Sequence, residues 1–186
     1  MVQALLRVRV KRLGLLALLA GCSVADTPYP LAWQPLPAPP ASDCVHFQGT
    51  YADRGEAPGQ STQPSLTREL FGPGGPWEKA ASIRFDFSPA DALDVTVAAE
   101  GMDPVVQRLS AKAGEFACDR GKLVLSSRRW VASDLMSGRE SVTIELTMAE
   151  PFAVAHVYES ISGVMFLVVP LSGESARWYR FRRLKP

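Results

Sequence analysis

The sequence predicts an all-β domain: an antiparallel meander forming a small closed or nearly closed barrel, with a two-sheet sandwich as the alternative and one short helix. Three observations lead there. Several segments alternate apolar and polar residues with period two, the mark of half-buried strands. Turn residues punctuate them at short intervals, in "SPAD", "GMDP", "CDRGK", "MSGRE" and "LSGES". Only "SLTRELFG" at 65–72 has convincing helical character, with Ser65 to cap it, Leu66 and Leu70 on one face, and Gly72 with Pro73 to stop it.

The chain opens with Arg7, Arg9, Lys11 and Arg12, followed by the uncharged "LGLLALLA" at 13–20, and no acidic residue occurs before Cys22. A basic stretch followed by a short apolar run is the layout of a secretory signal. The run is too short to cross a bilayer as a helix, which takes about 20 apolar residues. Leu19-Ala20-Gly21-Cys22 resembles the lipobox of bacterial lipoproteins. The resemblance implies that residues 1–21 are a cleaved signal peptide. It also implies that Cys22 begins the mature chain, with diacylglycerol on its thiol and usually an acyl chain on its amine. Two or more buried chains hold a protein stably on a membrane where one does not. The same resemblance implies an outer-membrane address facing the periplasm, because Ser23 stands where an Asp would retain the protein in the inner membrane.

Residues 22–43 read as a lipidated, Pro-rich tether. "ADTPYPLAWQPLPAPPAS" at 25–42 has six prolines in eighteen residues and one charge, so it neither continues a helix nor joins a central strand. Tyr29 and Trp33 either rest at the lipid headgroups, as aromatic rings often do, or pack back onto the domain.

Residues 44–186 form the barrel or sandwich. "SIRFDF" puts Ile83, Phe85 and Phe87 on one face, and "LDVTVAA" does the same with Leu93, Val95 and Val97. "SVTIELTM" aligns Val142, Ile144, Leu146 and Met148, and "RWYRFRRL" separates Tyr179 and Phe181 from Arg180 and Arg182. "MFLVVP" at 165–170 is apolar on both faces and is expected centrally or under another layer. Eight to ten strands are expected between 44 and 183.

Without residues 1–21 the chain keeps 16 of its 20 basic residues against 19 acidic ones, a formal charge of −3. Nucleic-acid binders usually show a clear basic excess, so no nucleic-acid partner is expected. With Cys22 lipidated, Cys44 and Cys118 are an even pair in an oxidising compartment and are expected to form one disulfide. Two distant cysteines and two histidines, His46 and His156, make a metal site an unpromising reading, and no cofactor is expected.

"DCVHFQGTYADRGE" at 43–56 resembles the opening of small, uncharacterised envelope lipoproteins, which place a Cys and a Gly-Thr-Tyr strand just after the linker. They tend to close on an aromatic-rich strand such as "RWYRFRRL". The opening is also similar to the Gly-x-Trp strand of lipocalins, which pairs with an Arg on the last strand. The chain departs from that family in having Tyr51 as the aromatic and no helix after the barrel.

Catalytic chemistry is sparse. His46 lies beside Cys44 and near Asp53, but a disulfide would remove the thiol as a nucleophile. His156 shares an apolar strand face with Phe152, Val154 and Tyr158, where a core role is expected. No G-x-S-x-G, H-E-x-x-H or phosphate loop occurs, and no enzymatic activity is expected. Arg177, Arg180, Arg182, Arg183 and Lys185 form a candidate basic contact patch for envelope proteins or anionic envelope components, to which Arg128 and Arg129 of "SSRRWVAS" would add if their strand lies beside the last one. The competing reading is a solvated face that discourages edge pairing. The expected function is an anchored envelope lipoprotein working by contact. The alternative is a lipocalin-like binder of a small apolar ligand or lipid, and a barrel interior left open would favour it.

Overall fold

A computed structural model describes residues 27–36, 38, 43–87, 91–133, 135–166 and 168–185. The leader and the lipidation candidate Cys22 lie outside the described residues. Among the described residues nine strands follow in chain order: β1 (Gly49–Ala52), β2 (Ala80–Phe87), β3 (Ala92–Ala99), β4 (Val105–Ser110), β5 (Phe116–Asp119), β6 (Lys122–Ala132), β7 (Met136–Ala149), β8 (Phe152–Met165) and β9 (Val169–Leu184). They make one antiparallel sheet in the order β4-β3-β2-β1-β9-β8-β7-β6-β5. Every chain-adjacent pair of strands is hydrogen-bonded except β4 and β5, and β1 also pairs with β9, so the sheet is a meander whose first and last strands meet. It curls into a nearly closed barrel, not the two-sheet sandwich.

The alternation read from the sequence sets which side faces in. Ile83, Phe85, Leu93, Val95, Ile144, Leu146 and Phe181 are all buried in the core. The two free edges, β4 and β5, are successive in the chain and joined by the turn at 111–115. Helix α1 (Leu66–Phe71) reaches this seam, where its Leu70 and Phe71 line a cavity with Leu109 of β4 and Ser126 of β6. Ser65 accepts from the Arg68 amide at 3.2 Å, and Gly72 (φ 85°) ends the helix. Leu66 and Leu70 are buried, as their spacing requires. A buried carboxylate fixes the helix start: Asp53 Oδ1 accepts from the Thr67 amide at 2.8 Å and the Thr67 hydroxyl at 2.7 Å.

At one end the barrel is plugged. A 3-10 turn (Val45–Phe47) drops Phe47 into the interior, and the Tyr51 hydroxyl donates to the Phe47 carbonyl at 3.0 Å. Burial pushes the Tyr51 hydroxyl pKa up to about 12. Arg183 of β9 lies over the Tyr51 ring at 6.0 Å. Gly49 (φ 141°) adopts a backbone closed to most side chains, and a Cβ there would stand 3.3 Å from the Arg183 guanidinium. Cys44 and Cys118 are bonded, with Cα atoms 5.8 Å apart. The disulfide ties the plug to β5, the short strand at the open edge.

Two expectations about faces change. "MFLVVP" is not central: it is the tip of the β8–β9 hairpin, with Phe166, Val168 and Val169 exposed. A short apolar run reads the same in a central strand and in an exposed turn, because periodicity carries no information about what covers it. The face shared by Val154, His156 and Tyr158 points out of the barrel, while Ala153, Ala155 and Val157 fill the core. Its apolar character is explained by residues 27–36, which lie against it. Trp178 donates through Nε1 to the Thr27 carbonyl at 2.7 Å and meets Tyr29 edge-on at 5.0 Å. Tyr29 and Trp33 therefore pack onto the domain.

Candidate functional site

The period-two geometry of β9 sorts the C-terminal cations onto opposite sides of the sheet. Arg177 shares its parity with Tyr179 and Phe181 and points inward. It pairs with Glu159 of β8 and lies 4.0 Å from Glu69 of α1. On the neighbouring wall, Arg129 of β6 pairs with Glu140 of β7 and donates through Nη1 to the Glu69 carbonyl at 3.4 Å. Two arginines and three glutamates thus form a half-buried ion cluster beneath α1. Burial holds the Glu69 and Glu159 carboxyls above the ordinary range. For Glu159 a hydrogen bond with Glu140 adds to the effect, and the nearby Arg177 opposes it. The same burial raises the Tyr179 hydroxyl.

Arg180 points outward. It donates through Nε to Glu56 Oε2 at 2.7 Å, and its guanidinium lies 4.9 Å from the Trp33 ring and 4.6 Å from that of Phe152. Arg183 sits on the rim, donating to Glu150 Oε1 and to the Gln48 carbonyl, each at 2.7 Å. Arg182, Arg183 and Lys185 share a surface groove of about 430 Å³ with Glu150 and Pro151. The five candidate patch residues therefore do not point one way: three gather at the rim, Arg180 braces the N-terminal segment, and half-buried Arg177 turns to Glu159 and Glu69. Arg128 and Arg129 do not extend the group, because β7 and β8 separate β6 from β9. Parity counting from Tyr179 would have placed Arg177 inside, but its partners on α1, β7 and β8 needed the register.

The candidate nucleophile and base do not converge. Cys44 is in the disulfide, Asp53 holds the helix start, and neither nitrogen of His46 has a hydrogen-bond partner among the described residues. His156 stacks on Trp178 at 3.8 Å with an 8° interplanar angle, a wall contact covered by the N-terminal segment. No group of three or more His, Cys, Asp or Glu residues is arranged to hold a metal among the described residues.

The interior of the barrel body is filled by Tyr51, Phe47, Phe85 and Phe181, among the largest fully buried side chains. A cavity of about 290 Å³ opens at the seam, bounded by Leu70, Phe71, Leu109, Ser126 and Ser127. Another groove, of about 450 Å³, runs between residues 29–35 and Phe152, Val154 and Arg180 on the outer wall.

The outward feature that sequence reasoning missed is at the far end of the long hairpins. The β6–β7 and β8–β9 tips are joined by the Phe166 amide donating to the Leu135 carbonyl at 2.8 Å. Together they expose Trp130, Leu135, Phe166, Val168 and Val169. No family model matches this chain, nor does any curated protein or solved structure.

Proposed function

We propose that this protein is a lipid-anchored lipoprotein of the bacterial envelope, held at the outer membrane through acylated Cys22 and working by contact instead of catalysis. The observation that carries the contact reading is the filled barrel. Aromatic side chains occupy its body, and the half-buried charges beneath α1 pair with one another, so the groups left for partners are on the outside. The filled body favours this reading over a lipocalin-like binder of a small apolar ligand. The packing of residues 27–36 on the wall supports a domain riding close to the membrane. Cys22 stands five residues before Thr27, a separation that spans at most about 17 Å.

Cys22→Ser tests the anchor. With a fatty-acid analogue in the growth medium, the wild-type protein is expected to take up label and the variant to remain unprocessed and unlabelled. Equal label on both refutes the assignment. In-cell crosslinking from the rim residues Arg182 and Lys185 then tests contact, with a defined envelope product expected; recovery of the uncrosslinked monomer alone counts against it.

A further inference from the structure

The hairpin tips combine three features that solvent alone does not explain. First, residues 164–171 read VMFLVVPL, eight positions without a charge, and Val168 is 79% exposed and Phe166 59%. Exposed apolar patches of this kind mark interaction sites. Second, Phe166 has φ 50°, a left-handed conformation that a bulky residue rarely adopts. The turn keeps this strain while leaving the ring outside, and such outliers cluster where function demands them. Third, exposed Trp130 is paired across the strands with exposed Arg139, and Arg128 projects from the same face two residues away. Neither arginine has an ion-pair partner among the described residues. An apolar point followed by an indole and guanidiniums that pair with no described carboxylate matches the depth profile of a lipid interface: acyl region, headgroup boundary, then anionic phosphate.

We infer that the joined hairpin tips dock onto the surface of an anionic phospholipid bilayer, with Phe166, Val168 and Leu135 entering the acyl boundary and Arg128 and Arg139 meeting phosphates. Charge complementarity selects this occupant over a second copy of the chain, whose identical arginines would face each other if two tips met. The docking needs only the tip. Its geometry, which rests on the anchor proposed at Cys22, follows from chain length. Val169 stands nine residues from Trp178 along β9, about 30 Å. Thr27 is held at Trp178, about 17 Å of extended chain from Cys22. For anchor and tip to reach one leaflet, β9 must slope at no more than about 35° to the membrane. The outer β8–β9 wall would then lie nearest the membrane, its serines Ser160, Ser162 and Ser172 interrupted by exposed Glu174, so the attraction to anionic lipid is confined to the tip.

A Val168→Cys variant of the full chain, labelled with an environment-sensitive dye, is added to vesicles of phosphatidylcholine with or without phosphatidylglycerol. Expected is a blue-shifted, brighter emission with the anionic vesicles, quenched by lipids carrying a shallow spin label. Phe166→Asp on this background is expected to weaken insertion of the tip at least tenfold, read as loss of the blue shift and of quenching and not as release from the vesicle, roughly the cost of losing one fully buried large side chain. Arg128→Glu with Arg139→Glu should abolish the preference for anionic vesicles. Unchanged emission with vesicle-bound protein overturns the proposal. So does a shift that depends on protein concentration without vesicles, which would assign the tip to self-association. Dye uptake by the wild-type chain would instead reveal a free Cys22 thiol, refuting the anchor while leaving the tip measurement standing.

Discussion

Replacing Cys44 and Cys118 together by alanine removes the one covalent tie between the plug and the open edge of the barrel. The two residues are 74 apart in sequence. Closing a loop of that length constrains the unfolded chain by about 4 kcal/mol in the chain-entropy treatment. For a domain of this size each kcal/mol moves the thermal midpoint by about 2–4 °C, so the midpoint should fall by about 8–16 °C. The structure also says where the loss is felt. Among the described residues the four-residue strand β5 pairs only with β6, through Phe116–Leu125 to Asp119–Lys122, and has no strand on its other side. Short, one-sided strands open at low free energy. Thermal unfolding followed by circular dichroism gives the global change, and amide exchange over 116–119 gives the local one. Reduction of the wild type should reproduce both. A midpoint shift under about 2 °C, or thiols that titrate in the native wild type, would refute the reasoning.

Two further outcomes follow from the interior. The Glu69 and Glu159 carboxyls are raised above their unfolded values by burial, so the folded state holds protons that the unfolded state has released. Their contribution to stability is complete below about pH 4.5, near the unfolded carboxyl value, and is lost as pH rises through their folded values. Facing them are Arg129, Glu140, Arg177 and Tyr179. Denaturant midpoints measured from pH 4 to 8 should therefore fall more steeply for the wild type than for Glu69→Gln/Glu159→Gln, and parallel curves would contradict the burial argument. Gly138 and Gly163 oppose each other on β7 and β8, and a Cβ on Gly163 would stand 2.3 Å from the Ser137 carbonyl oxygen. Gly163→Val should cost about 1–3 kcal/mol or more through forced backbone movement, read as a lowered urea midpoint; a midpoint equal to the wild type's would show that the hairpin yields there at no cost.

The parts of the fold legible in the sequence were those with local causes. Ile83, Phe85 and Phe87 announce their strand because pleating sends alternate side chains to opposite faces whatever the neighbours are. Ser65 and Gly72 announce a helix because end groups need partners close in sequence. What the sequence left ambiguous depends on what lies across a strand. Arg177 and Arg180 belong to one charged run, yet one enters the half-buried ion cluster and the other braces residues 27–36 outside. The same ambiguity hid the apolar tip: Phe166 and Val168 look like core until the register sends them past the barrel's end.

By itself, then, the sequence determined the strand-built domain, its inward residues and the available disulfide partners, because alternation, caps and cysteine count act over a few residues or none at all. Only the tertiary structure decided that Arg129, Glu140, Glu159 and Arg177 meet beneath α1, that the N-terminal segment covers His156, and that two hairpins present one exposed point. Those outcomes depend on strand register and closure, in which residues far apart in the chain are set side by side by hydrogen bonds common to every sequence.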